Sequence, residues 1–223
     1  MEGSIKEILI SLGADLCGIA NIDRFYGAPK GFHPTDIYKE CKSVIVFGLC
    51  LPKGTAFVDP KFIYGRFNDL NAEKLDYICS SACKEIEKLG AIAVPIPSDS
   101  PYEYWDSDKM EGRGLLSLKH AAALAGLGQL GKNTLLINKK HGNMLTLGAL
   151  LTNLDLKSDP LSQELCSRNC RLCLDNCPQK ALDGSTVNQK LCREYAYGVS
   201  KRGFSTVNCN KCRVICPKAL GMN

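Results

Sequence analysis

The sequence predicts an α+β (α/β) core over residues 1–154 and a smaller module over residues 155–223 that apolar side chains alone cannot hold together. Three observations predict this division. Up to residue 154, short apolar runs with the look of strands alternate with stretches of helical period. Beyond it, aliphatic runs all but vanish, so the tail lacks a core of its own. Eight of the thirteen cysteines lie after Leu165, a local excess that in a chain of this size points to metal or redox chemistry rather than disulfides.

The elements follow in order. Ser4 and Glu7 stand at capping-box spacing, and Ile5, Ile8, Leu9 and Leu12 share one helical face before Gly13 ends the run. LCGIA (16–20) reads as a short strand, and the β-branched SVIVFGLC (43–50) as a buried one. Between Asn71 and Leu89, apolar residues recur at Leu75, Ile78, Ala82, Ile86 and Leu89, a helix stopped by Gly90. AIAVPI (91–96) is a strand that Pro95 places near a sheet edge. SLKHAAALAGLG (117–128) is a helix of small residues ending near Gly126, and TLLIN (134–138) and MLTLGALL (144–151) are strand-like. In the tail, NQKLCREYAYG predicts a short helix that turns Cys192 inward.

Charge and composition exclude some classes. The net charge of +5, from 28 basic and 23 acidic residues, needs no more than a solvated surface. No apolar run approaches the roughly 20 residues of a membrane span. The opening MEGSIKEILI carries Glu2 and Glu7 and lacks the basic start of a signal peptide. The expectation is a soluble cytoplasmic protein.

The tail reads Cys166-x3-Cys170-x2-Cys173-x3-Cys177-Pro178, then Cys192, then Cys209-x2-Cys212-x3-Cys216-Pro217. A cubane cluster needs four thiolates, one for each iron. A tight turn supplies three, and the cysteine before proline reaches the neighbouring cluster. On that logic one 4Fe-4S cluster takes Cys166, Cys170, Cys173 and Cys216, and a second takes Cys177, Cys192, Cys209 and Cys212. Zinc is the rival, because C-x2-C pairs also suit a tetrahedral site, but it accounts for neither Cys-Pro ending. Two departures stand out: Ser167 occupies the place where x2 spacing would put a cysteine, and Cys192 replaces a missing close cysteine from seventeen residues upstream. Cys17, Cys41, Cys50, Cys79 and Cys83 read as core residues.

Gly126, Gly128 and Gly131, followed by Lys132, space a tight turn between a helix and a strand. Such a turn brings backbone N–H groups close to a phosphate or a planar cofactor, or it is simply compact. It leads into a strand, the reverse of a Rossmann fingerprint.

AGLGQLGKNTLLI, a following apolar strand ending in LLT, and the double cysteine run with its outlying LCREY together resemble the epoxyqueuosine reductase family, which shares a core with reductive dehalogenases. The resemblance runs through the chain but is sharp only over 117–137 and 166–217. It implies a nitroreductase-like core binding a base-off corrinoid (cobalamin), joined to a ferredoxin-like module with two 4Fe-4S clusters. It also implies reduction of an epoxide in tRNA to give queuosine, with the clusters feeding cobalt, an acid protonating the substrate, and a low-potential donor (ferredoxin or flavodoxin) upstream. His120, Gly126, Gly128, Gly131, Lys132 and Asn133 are then the cofactor-binding candidates, with FMN as the other organic cofactor to weigh. The acid falls in a D-S/T-x-P segment, here Asp99, with Asp106 and Asp108 as alternatives. The sequence runs six residues past Pro217, so the expectation is a short member without the family's tRNA-gripping extension, whose substrate is tRNA or a smaller molecule. Tyr102, Tyr104 and Trp105 could wall a planar ring or anchor a surface loop, and Tyr64 and Arg66 are further candidate substrate contacts. An electron-transfer partner with no substrate of its own, and a binding module with structural clusters, are the alternative functions.

Overall fold

The computed structural model describes residues 1–222, and its elements follow the apolar pattern. Helix α1 (Glu2–Ser11) leads into β1 (Leu16–Asn21), a single-turn α2 (Pro34–Ile37), β2 (Ser43–Cys50) and the long α3 (Lys61–Glu87). Then come β3 (Ala93–Ile96), a small hairpin of β4 (Tyr104–Asp106) and β5 (Glu111–Arg113), and α4 (Leu118–Leu124). A two-residue pair, β6 (Gln129–Leu130) and β7 (Leu136–Ile137), precedes β8 (Leu145–Thr152). The tail carries α5 (Leu172–Asp175), α6 (Gln189–Ala196), the pair β9 (Tyr197–Val199) and β10 (Ser205–Val207), and α7 (Lys211–Val214).

The main sheet has the order β1-β2-β8-β3, and all three of its pairings are antiparallel. The fold is therefore α+β in the strict sense. The alternation of strands and helices in the sequence gives no two adjacent parallel strands: α3 crosses one face of the sheet from β2 to the edge strand β3, which runs the same way, and β8 lies between them antiparallel to both. Pro95 does lie on that edge, where its missing N–H costs no ladder bond. Strand β2 is buried along nearly its whole length because both faces are covered. Ile45 and Phe47 face α1 and α3, with Ile5, Leu9, Leu75 and Ile86, while Val44 and Val46 face the α4 side, with Ala121, Ala122 and Ala125. This period-two division makes a three-layer core. The alanines of α4 let its C-terminal turn lie directly on the sheet. Gly18 of β1 permits this, since a Cβ there would meet the Ala125 carbonyl and Leu127.

The polar stretch 155–160 lies along β1. Ile19 N–H donates to the Asp159 carboxylate at 2.9 Å, and Asn21 N–H to the Ser158 hydroxyl at 2.8 Å. After it the tail wraps back over α3 and the 129–143 segment. Val207 of β10 sits against Gly65 of α3, where a Cβ would come within 2.8 Å. The last residues run beside the 139–143 loop: Asn143 N–H donates to Ala219 O at 3.1 Å and Met222 N–H to Lys139 O at 2.8 Å. No helix among the described residues is long and apolar enough to cross a membrane.

Candidate functional site: two thiol sets beside a cavity

The fold brings the tail cysteines together in two sets. The Cys173 thiol is pushed up by burial and then by the charges of Cys166, Cys216 and Cys170; Cys216 is raised by burial and by Cys166 and Cys170. The other set is centred on Cys212, pushed up to about 11 by burial, with Arg213 pulling it down and Cys192, Cys209 and Cys177 pushing it up. Burial, Cys177 and Cys209 likewise raise Cys192. Cys192 reaches its set from α6, whose start Asn188 caps by accepting from Leu191 N–H. Cys166, separated from Cys170 by the longer gap, still lies within reach of Cys173 and Cys216.

None of the thirteen cysteines is paired in a disulfide. Among the described residues no three His, Cys, Asp or Glu side chains converge as ligands of a single ion. One feature suits a sulfur-rich occupant. Asn210, between Cys209 and Cys212, is 4% exposed, and neither its Nδ2 nor its Oδ1 has a partner. Sealed polar atoms of this kind are costly unless something unseen completes them, and N–H groups near cluster sulfurs are a known means of tuning potential.

The glycine turn serves these loops. Lys132 donates its ammonium protons to the carbonyls of Ser167, Arg168 and Cys170, the last at 2.9 Å. Asn133 Nδ2 donates to Cys212 O at 2.9 Å, and the Gln129 side-chain oxygen accepts from Leu165 and Cys166 N–H. Two of the glycines pack on backbone: Gly126, at φ +75°, lies against the Pro160 carbonyl, and Gly128 against that of Ile137. Gly131 packs on the Ile137 and Asn133 side chains. None of these six turn residues lines either of the two larger cavities, but Thr134, Leu135 and Leu136 immediately after them line the first.

That first cavity, of about 440 Å³, lies between α3, the 97–102 loop, the 114–119 strip, β8 and α7. Asp99 and Arg213 are both in its wall. Asp99 is near enough to Asp69 on α3 that its charge, after burial, is the next cause raising the Asp69 carboxyl. The alternatives to Asp99 lie elsewhere. Asp106 is held low by hydrogen bonds from Lys109 and borders a separate surface hollow, and the Asp108 carbonyl accepts from Lys190. A second cavity of about 740 Å³ adjoins the first across Gly114, Leu116, Ser117 and Lys119, and His120 lines it. His120 Nδ1 is 2.6 Å from Ser117 Oγ; burial, then the charge of Lys119, lowers its pKa.

The aromatic residues of the 102–105 segment anchor a loop. Tyr102 and Trp105 stack at 6.0 Å, and the Arg193 guanidinium of α6 lies 5.4 and 5.2 Å from their ring centres and 5.8 Å from that of Tyr197. Tyr104 sits apart, against Phe32. Gln189 and Gly112 exchange two hydrogen bonds, so the β4–β5 hairpin is fastened to the helix that presents Cys192. Tyr64 is buried beneath Arg213, while Arg66 is exposed and pairs with Glu73 at 3.6 Å. Sequence reading missed Arg213, Lys119 and Arg193; a basic residue between two cysteines carries no signal of its own.

The five remaining cysteines are in the core layers or their margins. Burial pushes Cys17 and Cys50 up to about 12 and Cys41 to about 11. Cys79 donates to Ala149 O at 3.1 Å and is raised by its hydrogen bond with Cys83 and by burial. None joins the tail sets.

No family model matches the chain. An epoxyqueuosine reductase from Lactococcus garvieae is 40% identical over 112 residues, 46% of this chain and 32% of that enzyme. That of Bacillus subtilis is 25% identical over 248 residues, 96% of this chain and 63% of the enzyme. The chain thus spans about a third of the length of the first relatives it matches and under two thirds of the Bacillus subtilis enzyme. Among solved structures, epoxyqueuosine reductase from Streptococcus thermophilus superposes with a TM-score of 0.67 at 22% identity, covering 100% of this chain and 67% of that one. A catabolic reductive dehalogenase in complex with 3-bromo-4-hydroxybenzoic acid gives 0.67 at 17% identity, covering 96% and 31%. The chain is a homologue of the epoxyqueuosine reductases and has the fold that they share with reductive dehalogenases.

Proposed function

We propose that this chain is an iron–sulfur oxidoreductase of the epoxyqueuosine reductase type, with two 4Fe-4S clusters, a corrinoid and a substrate in the first cavity. The observation that carries this reading is the adjacency of Cys212 and Arg213. One belongs to a thiol set, the next residue is in the cavity wall, and consecutive Cα atoms are about 3.8 Å apart. A centre held by Cys177, Cys192, Cys209 and Cys212 would therefore adjoin the cavity directly. Cys166, Cys170, Cys173 and Cys216 would hold the other.

Bound clusters would supply one-electron carriers, and a corrinoid would supply the low-potential metal centre that reacts with substrate. The chain does the rest. Leu116, Ser117 and Lys119, which border both cavities, would hold a large planar group. The cavity volumes are in the range of ordinary cofactor sites. Lys132 and Asn133 fix the cysteine loops through carbonyls. Asp99 donates the proton from its carboxyl oxygen to the reduced substrate, as a general acid. The substrate is epoxyqueuosine in tRNA or a smaller molecule, and the electrons come from a ferredoxin or flavodoxin.

The test is anaerobic purification and reconstitution. The expected result is about eight irons per chain, a corrinoid spectrum rather than a flavin one after acid release of iron, and cofactor reduction by reduced flavodoxin. Asp99→Asn should keep iron and cofactor while turnover falls by about a hundredfold or more. Zinc in place of iron, or binding of neither corrinoid nor flavin, would overturn the reading. Reduction of a partner protein's cofactor, with no turnover on either substrate class, would make the chain an electron-transfer protein.

A further inference from the structure

Arg213 is a buried cation whose surroundings leave one edge of its guanidinium unused. It is 9% exposed, and among the described residues no carboxylate lies within ion-pair distance. Its Nη1 donates to the carbonyls of Asn143 and Leu145, and the group lies over the Tyr64 ring at 5.7 Å. These contacts fix the plane of the guanidinium and use the protons of one nitrogen. Nε and Nη2 donate to nothing among the described residues. They are not sealed in either: the buried side-chain atoms without partners are Asn143 Oδ1 and both amide atoms of Asn210. The Nε–Nη2 edge therefore has open space before it, and the space Arg213 borders is the first cavity.

That edge is the side of a guanidinium that receives two coplanar oxygens in parallel hydrogen bonds. We infer that the first cavity binds a ligand through an anionic oxygen group, a carboxylate or a phosphate, seated on the Nε–Nη2 edge of Arg213. The wall also carries Lys119 and the Asp99 carboxyl, and the apolar Leu75, Ile96, Leu116 and Leu147 line much of the rest, so the ligand is an apolar or planar body bearing one anionic end. Among the described residues, Cys212 is the one neighbouring acidic group that senses this charge, its thiol pulled down by Arg213 against the larger effect of burial. The inference deepens the proposed function, on which it rests: it makes the substrate a small organic anion, or a group whose phosphate reaches deep into the fold.

The test uses the wild-type, anaerobically reconstituted full chain and the arginine reagent phenylglyoxal, with labelling of each arginine read by peptide mass spectrometry. Inorganic phosphate and benzoate are the two probes, at constant ionic strength set by chloride. The expected result is that Arg213 is labelled through the cavity and that one probe slows this labelling saturably, by roughly tenfold at ten times its Kd. Exposed Arg202 should be labelled at the same rate throughout. Protection by phosphate alone, or by benzoate alone, identifies which anionic end the site takes. The inference is overturned if Arg213 escapes labelling without anion, because the edge then does not face the cavity, or if neither probe protects beyond chloride. Protection in a chain that binds no corrinoid or flavin would keep the anion site and remove the redox reading. Cofactor reduction with Arg213 unprotected would do the reverse.

Discussion

Replacing Lys132 by methionine keeps the apolar stem and removes only the ammonium. In the structure that ammonium donates to three carbonyls, of Ser167, Arg168 and Cys170, at the entry of the first cysteine run. Hydrogen bonds from a charged group contribute about 1.5–3 kcal/mol each when shielded. Two of these three are exposed to solvent, where water replaces much of the loss, so the net cost is about 2 kcal/mol. For a domain of this size, 1 kcal/mol moves Tm by roughly 2–4 °C, and Lys132→Met should lower it by roughly 4–8 °C. The loss should be local. Hydrogen exchange should accelerate over residues 166–173 while β2 and β8 stay protected, and reconstituted iron should fall from about eight toward four per chain as the first set fails to close. A variant that melts within about 1 °C of wild type with full iron would refute the idea that the turn braces the cysteine loop.

Three other perturbations probe separate parts of the argument. Gly128→Ala puts a Cβ against the Ile137 carbonyl, a backbone group that cannot swing aside; thermal melting should show a loss of about 3 kcal/mol, and an unchanged Tm would mean that the turn is less tightly packed than described. Arg193→Met withdraws the cation that lies near the rings of Tyr102, Trp105 and Tyr197, at a cost of roughly 1–2 kcal/mol. Trp105 is the sole tryptophan, so its emission should shift toward that of a solvated indole, and an unshifted spectrum would count against the latch. The imidazoles of His120 and His141 are both lowered, chiefly by burial and next by neighbouring lysines. As pH falls through the ordinary histidine value near 6.5, the unfolded chain binds these protons first, so stability drops until the folded-state values are passed. Melting at pH 7.5 and 5.5 should show that drop, smaller in His120→Gln; a pH-independent difference between the two proteins would refute it.

Much of the core was legible because its elements carry their own period. The all-apolar β2, the helical face of α1 and the alanines of α4 could each be placed from local sequence. The two cysteine runs and their Cys-Pro endings are likewise local features of the sequence. What escaped depends on contacts distant in sequence. The first ten residues of α3, Lys61 to Leu70, lack a clean apolar stripe because Tyr64 and Gly65 answer to Arg213 and Val207 in the tail, while Phe62 and Phe67 are exposed. The TLLIN segment contributes only two residues to a strand, and these pair with Gln129 and Leu130 rather than the main sheet. Thr134 at its head adopts a left-handed φ of +62°, which sequence alone would assign to glycine. The antiparallel sheet was also hidden, because a strand covered on both faces looks the same whichever way its neighbours run.

The glycine turn shows why motif and function can be physically separate and still inseparable. Its close-packed glycines bring Gln129, Lys132 and Asn133 within reach of both cysteine runs: Gln129 and Lys132 hold the first through Leu165, Cys166 and Cys170, and Asn133 holds the second through Cys212. The chain passes directly from this turn into Thr134, Leu135 and Leu136 of the cavity wall. A rigid segment that fixes the thiols on one side and the cavity on the other sets the distance between them. A substitution that loosens the turn must therefore disturb cysteine geometry and cavity shape together, whereas one confined to the 97–102 loop can change the cavity alone. That asymmetry would distinguish the turn's scaffolding role from direct contact with a ligand: Lys132→Met should lose iron and substrate together, while Asp99→Asn should lose turnover with its iron intact.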